Sequence, residues 1–347
     1  MSAAPVVAPS LEQVRSEMDI PSLDLALRGQ RDAVGFASRA DQMERAWELS
    51  ATPPAPLALG PAPAPGVATV ICPHDDYLYA ARVYRSVIPL VTARTIVLIG
   101  VFHRYRRFGE RGRLVFDPFT AWRTPGGAVR VSALREKLMA ALPAEDFIQD
   151  AAMHDSEHSV EALVYWLMHG RPDREIVPIL VPEMPFDRMS ELASRLAVAL
   201  KAHGKDTAIA ISADAIHYGA DFGHVGLGVG GEEAHERAVA RDLSILRGPL
   251  AGPVTDAKAR TLYETFVDPA RPERYRVTWC GRFSIPFGVL LTARLGRATA
   301  HPIAYSTSID APEIPVRDLG LGETAPANPY HFVGYPAVAF TLEGGVP

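Results

Sequence analysis

The chain has 347 residues, 48% of them apolar and 22% charged, with 35 basic against 40 acidic side chains and a net charge of −5. This is ordinary globular composition and excludes collagen-like, disordered and disulfide-framework classes. The charge balance gives no electrostatic reason to expect nucleic acid or an acidic lipid surface as partner.

The first 30 residues read as a loosely structured extension with one short helical piece near 11–18. They lack a basic segment followed by an apolar run, so they do not resemble a secretory signal. No stretch approaches the roughly 20 apolar residues that a membrane span requires. With only Cys72 and Cys280 as cysteines, a reducing, cytoplasmic setting is the expectation.

Residues 38–50 are patterned as an amphipathic helix, with Ser38 as its cap and Asp41 completing a pair with the first-turn amides. Residues 51–66 carry six prolines. They read as a strap over one domain spanning 31–347, because the segment before them holds too little apolar periodicity for a core of its own. From Val67 short β-branched runs alternate with helical patterns. Strands are predicted at 67–72, 95–100, 175–181 and 207–212, with helices near 79–91, 133–142, 157–169 and 187–203. Later strands at 301–308 and 335–342 make the expected sheet mixed. The predicted fold is α/β, a three-layer α/β/α sandwich with a mixed central sheet.

The chemistry-bearing residues fall where these strands end. The first run leads into Pro73-His74-Asp75-Asp76-Tyr77, the second into Val101-Phe102-His103, and the fourth into Asp214-Ala215-Ile216-His217. In an open α/β sheet the crevice beyond the carboxyl ends of the strands binds ligands. If the strands are parallel neighbours, His74, His103 and His217 converge there. One strand-end histidine is ordinarily structural; three at equivalent places, with no glycine-rich phosphate cradle beside them, suggest a metal site. Cys280 is expected at or just before the start of a helix, where the dipole favours a thiolate that ligates a metal or acts as nucleophile. A small buried core cysteine is the competing reading, and it is preferred for Cys72.

A further cluster, His154 to Glu161, opens a helix. Ser156 is a candidate N-cap, with Ser159 and Glu161 in the first turns, while Glu157 and His158 can instead face the site and orient its ligands. The arginines at 104, 106, 107, 111 and 113 read either as an anion-binding rim or as a solvated charged loop.

Taken in order, PHDDYLYAA, GVFH, DSEHSVEAL, SADAIHYG, CGRFSI and GYPAVAF resemble the Memo family, whose corresponding segments are PHAGYxYSG, GPSH, EEHSIE, SSDxSHYG, CGxxPI and a final aliphatic strand. The resemblance runs from about residue 31 to 342. It implies a fold similar to class III extradiol ring-cleaving dioxygenases, which hold a mononuclear non-haem iron at the strand ends. The family's metal ligands, two histidines and a cysteine, map onto His74, His103 and Cys280, and its nearby aspartate and histidine onto Asp214 and His217. The resemblance therefore implies iron, with copper or zinc as alternatives because a thiolate is a soft donor. It implies an oxidoreductase of dioxygenase-like chemistry, or else a metal-handling or peptide-binding protein without turnover. The ligand is then a small molecule or a peptide, and radical-SAM and Ammecr-type proteins are implied as microbial partners. Asp214 or Glu157 remains an alternative third ligand. Three departures alter the site's wall: Asp75-Asp76 for Ala-Gly, Val101-Phe102 for Pro-Ser, and Ser284 for Pro.

Overall fold

The computed structural model describes residues 8–17, 26–222, 227–228 and 230–345. Its sheet is built on four parallel strands, β1 (Thr69–Cys72), β2 (Thr95–Val101), β3 (Glu175–Val181) and β4 (Thr207–Ser212), followed in sequence by β5 (Ala298–Thr307) and β6 (Phe332–Leu342). The spatial order is β3-β2-β4-β1-β6-β5, parallel through β1 and antiparallel beyond it. Strands 121–124 and 127–131 extend the sheet on the β3 side. The expected mixed α/β architecture is thus observed, with strand limits within two or three residues of those predicted.

The parallel strands are apolar at nearly every position because both faces are covered. Val70, Cys72, Leu98 and Ala208 point to one layer, which includes helices α1 (Tyr77–Val87) and α2 (Ser159–Met168). Ile71, Val97, Ile209 and Ile211 point to the other, formed by α3 (Phe186–His203), the helix Asp256–Phe266, and α4 (Ser284–Leu295). α4 comes close to β4 because Gly288 has no side chain; a Cβ there would lie 2.3 Å from Ile211 Cδ1.

The proline-rich strap contributes Leu57–Ala58, which pairs antiparallel with Ala304 and Tyr305 of β5. The expected cap at Ser38 is not formed. The helix is Ala40–Leu49, and the side chain of Gln42 accepts from the amides of Ser38 and Arg39. Asp41 instead pairs with Arg39, and a longer amide side chain one turn in does the capping.

The described part of the first 30 residues is tied down rather than loose. Arg15 Nε meets Asp155 Oδ2 at 2.8 Å, and Arg31 Nη2 meets Asp155 Oδ1 at 2.6 Å. Arg28 is buried against Glu161, donates to the carbonyls of His154 and Glu157 at 3.0 and 2.6 Å, and stacks 4.1 Å over Trp122. Glu161 also accepts from the amides of Arg31 and Asp32. Buried pairs of this kind add little net stability, but losing one partner leaves an uncompensated charge. Glu161→Gln is therefore expected to lower the unfolding free energy by about 3–5 kcal/mol, measured by urea titration. A loss under 1 kcal/mol would show that Arg28 finds other compensation.

Candidate metal centre

β1, β4 and β2 lie side by side, and each delivers a polar residue two positions past its last residue: His74, Asp214 and His103. Of the three histidines expected to converge, His74 and His103 stand with ring centroids 5.3 Å apart, and His217 lines the same cavity, while Asp214 takes the third strand end. Cys280 reaches the same place from the loop before α4. Gly281 lets that loop lie against the end of β4, since a Cβ on it would sit 2.4 Å from that of Ala213.

The expected placement of Cys280 at a helix N-terminus is not observed. α4 begins at Ser284, four residues later, so no helix dipole favours its thiolate. Burial pushes the thiol up from its ordinary value, and the neighbouring Asp214 pushes it further. Its Sγ accepts the Asp214 amide at 3.0 Å and lies 3.5 Å from His74 Nε2.

His74 is held on its other side. Its Nδ1 lies 2.7 Å from Ser212 Oγ, and that hydroxyl donates to the carbonyl of Ser159 at 2.6 Å. A hydroxyl has one proton. With that proton on Ser159, Ser212 must accept from His74 Nδ1–H, and Nε2 is left as a bare acceptor. Asp214 Oδ2 stands 3.4 Å from this nitrogen. The contact is not an ion pair, because burial drives His74 down and Asp214 up, toward neutral forms in both.

Glu157 unites the two roles considered for it. Oε1 accepts from the amides of His158 and Ser159 where α2 begins, both at 2.9 Å, and takes His103 Nδ1 at 2.9 Å; Oε2 takes the His103 amide at 2.7 Å. Burial opposes its charge, but His103 and these amides hold it below the usual carboxylate range. His103 Nδ1 therefore carries the proton and its Nε2 is free, the carboxylate–histidine arrangement common behind metal ligands. Ser156 is not the N-cap of α2. It closes a separate short helix, Ala151–Asp155, whose own cap is Asp150.

His158 stacks on His103 with ring centroids 5.0 Å apart and stands 5.7 Å from His74. Among the described residues two donor groups have ligand atoms within 4.8 Å of one another: His74, His103 and His158, and His74, Asp214 and Cys280. His74 belongs to both. The sequence had marked His158 only as a residue able to orient ligands; its spacing from Glu157 shows no ring direction.

These groups open into a cavity of about 840 Å³. His217 lines it. Its Nδ1 lies 3.2 Å from the Ala215 carbonyl, which leaves Nε2 as a proton acceptor. Burial lowers it to about 4, against that hydrogen bond. Asp32, Asp75 and Asp76 also line it. Asp75 Oδ2 accepts from Tyr335 at 2.7 Å, and Asp76 accepts from the amide and hydroxyl of Thr324. The arginines of 104–113 do not line the cavity: Arg107 pairs with Glu17, Arg111 with Glu183, and Arg113 with Glu110. The solvated-loop reading describes these three.

A family model described as Memo-like protein matches residues 44–315. The chain belongs to the Memo-like family. Among its relatives are a MEMO1 family protein of Thermococcus kodakarensis, 24% identical over 248 residues that cover 69% of this chain and 80% of the relative. Another, from Caldivirga maquilingensis, is 22% identical over 75% of this chain and 83% of its own length. A third, from Archaeoglobus fulgidus, is 29% identical over 46% of this chain and 58% of its own.

In this Memo-like chain Asp76 is a buried carboxyl pushed up to about 7, by burial first and by Asp75 second. Its folded value lies above the unfolded one, so its contribution to stability is full below pH 4 and is lost as pH rises through 7. An asparagine can still serve Thr324, accepting from the amide and donating to the hydroxyl. Asp76→Asn is expected to match wild type near pH 4 and to be more stable by on the order of 2 kcal/mol at pH 8. Urea unfolding of chelator-treated protein at both pH values measures this; an equal difference at the two would refute it.

Proposed function

We propose that this Memo-like chain binds one divalent metal ion at the strand ends, iron(II) first, with His74, His103 and Cys280 as its donors. The observation that carries the reading is the tautomer of the two histidines. Each commits Nδ1–H to a fixed acceptor, Ser212 or Glu157, and so keeps Nε2 unprotonated. A bare imidazole nitrogen beside a thiol and a carboxyl, both buried, fits a cation better than it fits water. Asp214 offers a carboxylate in place of sulfur, which would make the set two histidines and a carboxylate.

When bound, the metal would supply Lewis acidity and, as iron, one-electron chemistry toward oxygen. The chain's own residues would do the rest. Glu157 and Ser212 orient the imidazoles, the walls restrict water, and His217 Nε2 accepts a proton from a bound ligand. At neutral pH His217 is unprotonated, so it enters as base rather than acid.

Protein purified anaerobically under reducing conditions is expected to carry near-stoichiometric metal, lost by at least tenfold in His74→Ala, His103→Ala and Cys280→Ala. Wild type that neither carries nor takes up metal would end the proposal. A thiolate-to-metal charge-transfer band reports Cys280; its absence from loaded protein would move the third ligand to Asp214. Burial raises the Cys280 thiol above its ordinary value, so binding as a thiolate releases a proton. Affinity should therefore rise about tenfold per pH unit across pH 6–8, and a flat profile would contradict the donor set.

A second reading, metal handling without turnover, is favoured by the softness of the Cys280 sulfur, which suits copper(I) or zinc. Oxygen uptake by the iron-loaded protein with catechol-type compounds separates the two. Uptake supports a dioxygenase-like oxidoreductase, and none with iron intact supports the handler.

A further inference from the structure

Arg282 lies two residues past Cys280, half-buried in the wall of the cavity. Its guanidinium stacks 4.9 Å over the ring of Tyr275 and 5.7 Å from that of Phe283. Among the described residues no carboxylate lies within salt-bridge distance of it, and no hydrogen bond occupies its nitrogens. That sets it apart from Arg28 and Arg31, whose donors are spent on buried carboxylates, and from Arg174, whose donors are spent on carbonyls. An arginine held by its face keeps the N–H groups of its edge available, and that planar fork matches an oxyanion with two coplanar oxygens.

The rest of the cavity narrows the choice of oxyanion. Asp32, Asp75, Asp76, Asp214 and Asp221 line the same cavity, and any charge they carry repels a dianionic phosphate more than a monoanion. A single negative charge on the fork is balanced by Arg282 alone. Phe36, Tyr79, Phe222 and Tyr335 give the chamber aromatic surface for an apolar body. Its volume of about 840 Å³ holds a small ring-bearing molecule with room to spare.

We propose that Arg282 is the anchor of the cavity for a small monocarboxylic acid: its fork takes the carboxylate, and the acid's apolar body lies among the aromatic side chains toward His74 and His103. This names the class of substrate for the chamber and rests on the reading of that chamber as the metal's ligand site. Substitution removes only its stacking on Tyr275 and Phe283 and no hydrogen bond or ion pair to a described residue, so its variants should fold.

The test is calorimetric titration of the full chain, stripped of metal by chelator, with benzoate, benzamide and phenyl phosphate. Saturable benzoate binding is expected, with benzamide at least tenfold weaker. Arg282→Gln should weaken benzoate at least tenfold, and Arg282→Lys should recover part of the loss, because it restores the charge without the fork. Benzoate should also shift the imidazole resonances of His217 in wild type and not in Arg282→Gln. No saturable benzoate binding by wild type, equal binding by Arg282→Gln, or phenyl phosphate binding tighter than benzoate would each overturn the proposal. Iron(II) titration of the same wild-type preparation is read separately. Iron bound without benzoate sinks the carboxylate anchor and spares the metal site; benzoate bound without iron does the reverse.

Discussion

The hydroxyl of Ser212 has one proton, and that proton goes to the carbonyl of Ser159 at the start of α2. Everything at the candidate centre is arranged around the consequence. Ser212 must accept from His74, His74 must turn a bare Nε2 toward Cys280 and Asp214, and the tautomer cannot relax without breaking a buried bond worth about 1 kcal/mol or more. The three parts come from different elements: β4 carries Ser212, β1 leads to His74, and α2 supplies Ser159. Their meeting depends on β4 lying between β1 and β2, strands far from it in sequence.

A second buried carboxylate does for the outer segments what Ser212 does for His74. Asp242, on the helix Gly231–Arg247, takes Trp279 Nε1 at 2.6 Å on one oxygen, and Tyr305 OH at 2.7 Å and the Ile216 amide at 3.1 Å on the other. Trp279 directly precedes Cys280, and Ile216 directly precedes His217. Burial raises Asp242 to about 6 in spite of these donors. It costs stability when ionised and holds two site-bearing loops in return. Gly334 is fitted to this arrangement, since a Cβ there would lie 2.7 Å from both Asp242 Oδ2 and Tyr305 OH.

Much of the fold was legible because its signals are local. Runs such as TIVLIG and EIVPILV are apolar at every position after the first, which identifies strands covered on both faces without reference to any partner. The strand-end histidines were legible for the same reason, as polar residues just past such a run. What could not be read depends on geometry between segments. Ser38 and Ser156 carry the side chains of good caps, but the chain places Gln42 and Glu157 nearer the free amides. Cys280 was set at the head of a helix because TWCGRFSIPFGVLLTARLG reads as one helix with a glycine at its entry, whereas the helix waits for Ser284. The arginine run after His103 drew attention by its density. Several of those side chains are neutralised by carboxylates from distant segments, which composition does not reveal.

The cavity's polarity follows from the same contrast. In the Memo-like pattern the histidine after β1 is followed by two small residues; here two aspartates stand there, Asp76 buried and Asp75 half-buried. They are tolerated because Tyr335 and Thr324, from the far end of the chain, donate to them, and because burial lets them share protons rather than carry two full charges. That places carboxyls fixed by internal donors in the cavity that Arg282 lines, while no carboxylate among the described residues pairs with Arg282. Tyr335 and Thr324 fix those carboxyls, and an arginine with no counter-ion among the described residues is left to find one in a ligand.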